Sequence, residues 1–141
     1  MCNCAQYRKG ITMRKETIKI AKAFLNHEKA TATRTRTDGE SVFLHGNKIA
    51  FWNYGDVKPA LCFTLADWPS VTTRERINGI LELSGSNWRV KQHKSNQFLI
   101  NSVTGYIVPI LDDASYYAPD SDDDMPEMTR DINASARFAA Q

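Results

Sequence analysis

The stretch from Val42 to Gly85 constrains the fold more than any other part of the chain. It places a tight hairpin, a third strand and a sharply capped helix in succession. Gly46-Asn47 lies between the runs Val42-Phe-Leu and Ile49-Ala-Phe-Trp52. It reads as a two-residue turn, because Gly takes positive φ without steric cost. That turn sets His45 against Lys48, Leu44 against Ile49 and Val42 against Phe51. Alternation then predicts Val42, Leu44, Ile49 and Phe51 on the core face, with Phe43, His45, Lys48, Ala50 and Trp52 on the other. Asn53 to Pro59 reads as a loop. Ala60 to Leu65 reads as a strand with Leu61, Phe63 and Leu65 inward, and Cys62 and Thr64 outward. Asp67-Trp68-Pro69-Ser70 ends it, since Pro cannot donate to the ladder.

The helix that follows carries Thr72-x-x-Glu75, the pattern of a capping box. Ile77, Ile80 and Leu81 form its core stripe, and Gly85 closes it as a left-handed cap. Upstream, Met13 to Leu25 reads as an amphipathic helix with Ile18, Ile20, Ala21, Phe24 and Leu25 together and Lys15, Lys19 and Lys22 opposite. Thr31 to Thr37 alternates strictly, which predicts one edge strand with Arg34 and Arg36 on the same side. Asp38-Gly39 supplies the next turn. Asn87–His93 and Gln97–Asn101 read as a second hairpin, followed by a short strand from Tyr106 to Ile110.

These elements predict an α+β fold: a small antiparallel sheet with two packed helices, in the order α-β-β-β-α-β-β-β, and an acidic C-terminal tail. Residues 1–12 form an extension, 13–110 the domain, and 111–141 the tail. Met128, Ile132, Ala136 and Ala139 are spaced for a short terminal helix within it.

Charge follows the same division. The net charge of +2 hides a basic body, with 16 Lys/Arg against 8 Asp/Glu through Ile110, and an acidic remainder, with 2 against 8. A basic body suits nucleic acid, or an acidic tail that folds back upon it. At 141 residues and 42% hydrophobic, the chain suits one domain with a modest core. No apolar run approaches the ~18–20 residues that span a bilayer, and Met1 to Gly10 lacks the apolar segment of a signal peptide. A soluble intracellular protein without a membrane partner is expected. Cys2, Cys4 and Cys62 give an odd count without a disulfide framework. Cys2 and Cys4 lack a second ligand pair of zinc type, so neither metal nor cofactor is expected.

No Gly-rich phosphate loop, HExxH or nucleophile elbow occurs. Asp112-Asp113 and Asp122-Asp123-Asp124 lie in the expected tail, where a fixed acid/base geometry is hard to hold. The expectation is a non-enzymatic protein that binds a macromolecule. Its candidate surface combines Trp52, Tyr54, Trp68 and Trp88 with Arg34, Arg36, Arg74, Arg76 and Arg89, the residue types that dominate interfaces. Two or more of these tryptophans are expected in the core instead. Nucleic acid is the alternative partner, with the acidic tail competing for the same face. A structural role in a virion or a homo-oligomer is the third reading.

Phe43-Leu-His-Gly-Asn-Lys-Ile-Ala50, followed by Asp67-Trp-Pro-Ser-Val-Thr-Thr-Arg-Glu-Arg-Ile-Asn-Gly79, resembles a group of small tailed-bacteriophage proteins. They share an LHGNxIA hairpin and a TTRERxNG helix start. The resemblance covers Met13 to Ile110, departs at Asp67, where the pattern carries Gly, and implies a phage protein acting in host cytoplasm against a host or phage protein. The motifs are turn and cap residues, so they imply architecture and no activity. A second resemblance, to double-stranded RNA-binding domains, lies only in the order helix, three strands, helix; the lysine cluster of that family is absent.

Overall fold

A computed structural model describes residues 14–55 and 58–129. The expected extension 1–12, and the part of the expected terminal helix beyond Thr129, lie outside them. Helix α1 spans Lys15–Leu25 and α2 spans Val71–Leu83. Strands β1 (Ala30–Ala32), β2 (Thr35–Thr37), β3 (Ser41–Leu44), β4 (Asn47–Tyr54) and β5 (Pro59–Thr64) lie between the helices. Strands β6 (Trp88–His93), β7 (Asn96–Asn101), β8 (Ile107–Ile110), β9 (Ser115–Tyr117) and β10 (Glu127–Met128) follow α2. The fold is α+β, with helices and strands alternating as expected and additional short strands. One antiparallel sheet has the order β1-β2-β3-β4-β5-β9-β10, and a second has β6-β7-β8.

The β3–β4 hairpin turns one residue earlier than expected. His45 and Gly46 hold positive φ (52° and 81°), so Leu44 faces Asn47 and Phe43 faces Lys48. A bulge then slips the register, so that Val42 faces Ala50 and Ser41 faces Phe51. Ile49 is the extra residue, and both Ile49 and Ala50 are buried. Beyond the bulge the faces reverse. Phe51 moves to the outer face, and Trp52 turns inward, stacking on Phe24 with ring centroids 5.1 Å apart. A single inserted residue exchanges the two sides of a strand, and no glycine marks this one.

The expected single strand Thr31–Thr37 is a hairpin, folded at Thr33-Arg34 with Arg34 at φ 62°. Ala32 faces Thr35, so Arg34 sits at the turn rather than on the strand beside Arg36. Thr35 and Thr37 are buried because their hydroxyls find partners. Thr35 Oγ1 accepts from Arg76 Nε at 3.0 Å, and Thr37 Oγ1 donates to the Ser41 carbonyl at 2.7 Å. Gly39 closes the next turn at φ 93°, where a Cβ would stand 2.8 Å from the His27 carbonyl oxygen.

The N-cap of helix α2 stands two residues before the expected one. Ser70 is the N-cap and its hydroxyl accepts from the Thr73 amide at 3.1 Å. Glu75 turns away toward α1, where the Thr17 hydroxyl lies 2.7 Å from both carboxylate oxygens. Ser70→Ala should therefore cost about 1 kcal/mol in chemical denaturation, with Thr72→Ala near neutral. The C-terminus is as expected. Gly85 at φ 91° donates to Glu82 O, and Ser86 donates to Leu81 O, the paired bonds of a Schellman motif.

The core runs between the helices and both sheets. Ile20 and Phe24 of α1, Ile77 and Leu81 of α2, Val42, Leu44 and Phe63 of the large sheet, and Trp88, Val90 and Leu99 of the small one form one buried cluster. Burial is not confined to that side. Cys62, expected to face outward, is fully buried on the other face of β5, and burial pushes its thiol up to about 12. In a Cys2→Ser/Cys4→Ser background, Cys62 should stay unreactive toward a maleimide until the protein unfolds. Ready labelling of the native protein would contradict this burial.

Acidic composition does not keep the segment after Ile110 out of the fold. Strand β9 pairs with β5, β10 pairs with β9, and the Thr129 amide donates to Ser115 O. Asp122 accepts from Asn87 Nδ2 and Asn101 Nδ2 at 3.1 Å each. The expected tail thus supplies two strands and a strap across the small sheet. The start of its expected helix, at Glu127–Met128, is strand β10.

Candidate functional site

Five of the nine residues expected on a binding surface are engaged within the fold. Arg76 is 3% exposed. Its guanidinium bonds Thr35, Thr17 and Glu75 and lies 3.6 Å from Glu16, tying α2 to α1 and β2. Arg74 donates to the Pro69 carbonyl at 2.7 Å and to Gln92 Oε1 at 3.0 Å. Arg89 holds Glu82 at 3.0 Å and the Ser86 carbonyl at 2.6 Å. Trp88 is 1% exposed, with Nε1 donating to Ser121 O at 3.3 Å. Trp52 lies between Phe24 and His27 and donates to Phe24 O at 3.1 Å. An isolated Arg or Trp in a sequence gives no sign of whether its partners lie inside the fold.

Arg34, Arg36, Tyr54 and Trp68 remain exposed. They do not form one patch. Tyr54 faces Pro59 at the far end of β4, with its hydroxyl donating to the Glu40 carboxylate; that bond raises its pKa. Arg36 stands opposite Phe43 on the outer face of the large sheet. Arg34 and Trp68 belong to the end where the β1–β2 and β3–β4 turns meet the exit of β5. There the His45 amide donates to Arg34 O at 2.9 Å.

At that end lies a cavity of about 340 Å³, lined by Leu44, His45, Asn47, Ile49, Leu65, Ala66, Trp68 and Thr73. Trp68 is 64% exposed beside it, an unusual position for so large an apolar side chain. The bend that presents Trp68 is fixed by its own bonds. Asp67 N donates to Asp112 O at 2.7 Å, Trp68 N to Leu65 O at 2.9 Å, and the Thr73 hydroxyl to Trp68 O at 2.9 Å. Among the described residues, seven other than glycine hold positive φ, and four of them, Arg34, His45, Ala66 and Asp67, stand at this end. Such conformations persist only where surrounding structure over-determines them, and they cluster at ligand clamps and switch regions.

The cavity therefore joins two segments that are distant in the sequence, the Leu44–Ile49 turn and the Leu65–Thr73 bend. Sequence reasoning selected Trp68 and missed His45, Asn47 and Ala66. Their signal was the pair of conspicuous turn motifs, read as architecture alone. On the outer face of the large sheet Ser41 and Cys62 are buried and Phe43 and Phe51 half-buried, with the exposed Arg36 and Lys48 above the rings. Arg36 lies over Phe43 at 4.2 Å from the ring centroid, and Lys48 over Phe51 at 5.6 Å. Among the described residues, no three His, Cys, Asp or Glu side chains come together as metal ligands, and no helix is long and apolar enough to cross a membrane.

The described residues thus form a two-sheet α+β domain with one exposed tryptophan beside a small, largely apolar cavity. The family model described as Kyanoviridae Gp96 protein matches residues 8–110, and the chain belongs to that family of phage proteins. No curated protein and no solved structure matches it.

Proposed function

We propose that this chain is a non-enzymatic phage accessory protein that acts in host cytoplasm by binding a host or phage protein through the Trp68 cavity. The observation that carries the reading is the exposed Trp68 ring held beside about 340 Å³ of space by hydrogen-bonded backbone. Trp and Arg are the commonest interface anchors, and Arg34 stands on the neighbouring turn. The cavity wall combines Leu44, Ile49, Leu65 and Ala66 with the polar groups of His45, Asn47 and Thr73. It suits one aliphatic or aromatic anchor residue of a partner, with a polar edge to orient it.

The test compares wild type and Trp68→Ala as baits in nuclease-treated host lysate, with circular dichroism to show that both are folded. The proposal expects one dominant protein on the wild type and its loss from the variant. Equal recovery on both baits would contradict it.

Competition by a free acidic tail has little room in this structure, because residues 115–117 and 127–128 are strands and Asp122 is bonded to Asn87 and Asn101. Deleting residues 112–141 would strip β9 from β5. It would report folding before it reported autoinhibition.

A further inference from the structure

We infer that the outer face of the large sheet is a stacking platform for single-stranded nucleic acid, a site separate from the Trp68 cavity. Phe43 and Phe51 take no part in the buried core cluster. Phe51 faces Ser41, two residues from Phe43 on the adjacent strand, so the two residues are diagonal neighbours on one face, within reach of each other's aromatic side chains. Splayed successive bases can span such a step, and base stacking on aromatic rings tolerates any sequence. On the far side of β5 the face continues to Tyr117, opposite Cys62, with Asn53 Nδ2 donating to the Tyr117 hydroxyl at 3.1 Å.

Charge selects the occupant. Arg36 and Lys48 lie on this face over the Phe43 and Phe51 rings. Neither forms an ion pair among the described residues, where Arg76 and Arg89 hold those that occur. Asp38 lies within electrostatic reach of Arg36. Its carboxylate accepts from the Glu40 and Ser41 amides at 2.8 Å each and forms no ion pair with Arg36, whose guanidinium keeps donors for phosphate. Glu127, opposite Tyr117, marks the acidic edge where the platform ends. Aromatic faces bearing cations outside any ion pair bind a polyanion whose bases are unstacked. They offer little to a duplex, which hides its base faces.

Fluorescence anisotropy with a labelled oligothymidylate, measured over a salt series, tests this directly. Wild type is expected to bind, with affinity falling as salt rises. Arg36→Gln/Lys48→Gln should flatten the log–log salt slope by about 1.4, as expected for two lost phosphate contacts on a single strand. Phe51→Leu, which keeps an apolar group at the same place, should weaken binding by about 5–100-fold with the slope unchanged. Trp68→Ala should bind the oligonucleotide like wild type, so failure here is distinguishable from failure of the protein-binding reading. The inference is overturned if wild type fails to bind at low salt, or if the double variant binds unchanged. It is equally overturned if duplex of the same length binds as tightly, or if this face proves to capture a nuclease-resistant protein instead.

Discussion

Arg76→Ala should remove about 3 kcal/mol of stability, measured as a lower urea midpoint with an unchanged slope. The guanidinium is the only positive partner that Glu75 and Glu16 have in the ion pairs of the described residues. It also occupies the Thr35 hydroxyl at 3.0 Å. Removing one partner of a buried pair leaves the other charge and its hydrogen-bonding groups uncompensated, which typically costs 3–5 kcal/mol. Glu75 and Glu16 are 18% and 39% exposed at their side chains, so water can reach them and the lower end applies. Arg76→Met/Glu75→Gln should recover part of the loss, because it removes both charges together. A loss under about 1 kcal/mol for Arg76→Ala would mean that the network contributes little to folding.

Trp88→Ala should cost more, about 3–5 kcal/mol. Trp88 is the largest side chain among those fully buried, and it joins the small sheet to the common core. Truncation leaves a cavity that neighbouring side chains fill only in part. It also frees the Ser121 carbonyl, which accepts from the indole at 3.3 Å. A domain of this size is stable by about 5–15 kcal/mol, so the variant stands near the threshold of folding. Trp88→Phe should retain most of the stability. A thermal midpoint for Trp88→Ala within a few degrees of wild type would contradict this placement of the core.

Where a single residue type carries the signal, the sequence was legible. The Schellman cap at Gly85 and the Ile20, Ala21, Phe24 and Leu25 face of α1 belong to elements that local chemistry specifies. Even there, Thr17 rather than Ile18 is buried on that face, and the second hairpin turns on Lys94-Ser95 alone, with Asn96 already paired to His93. Failures came where tertiary partners decide. The bulge at Ile49 has no glycine to announce it, yet it moves Trp52 into the interior and Phe51 out of it. The Thr33-Arg34 turn carries no turn residue either; threonine alternation concealed a hairpin whose buried hydroxyls depend on Arg76 and Ser41. Composition misled most beyond Ile110. A run of aspartates reads as solvated chain, but Asp122 is satisfied by two amide side chains and β9 completes the pairing of β5.

The candidate site was legible in part for the same reason. Exposure of Trp68 follows from a bend whose bonds come from Asp112 and Thr73, so no local pattern separates it from Trp88. Tryptophan at a strand exit and tryptophan at a strand start look alike until the partners are placed.

Affinity of the captured protein for wild type, Trp68→Phe and Trp68→Ala, measured by calorimetry on purified components, tests the central claim most directly. The account predicts near-wild-type affinity for the phenylalanine variant and at least about 30-fold weaker binding for alanine, the loss expected of an interface anchor. Equal affinities across the three proteins would place the binding site elsewhere on the molecule.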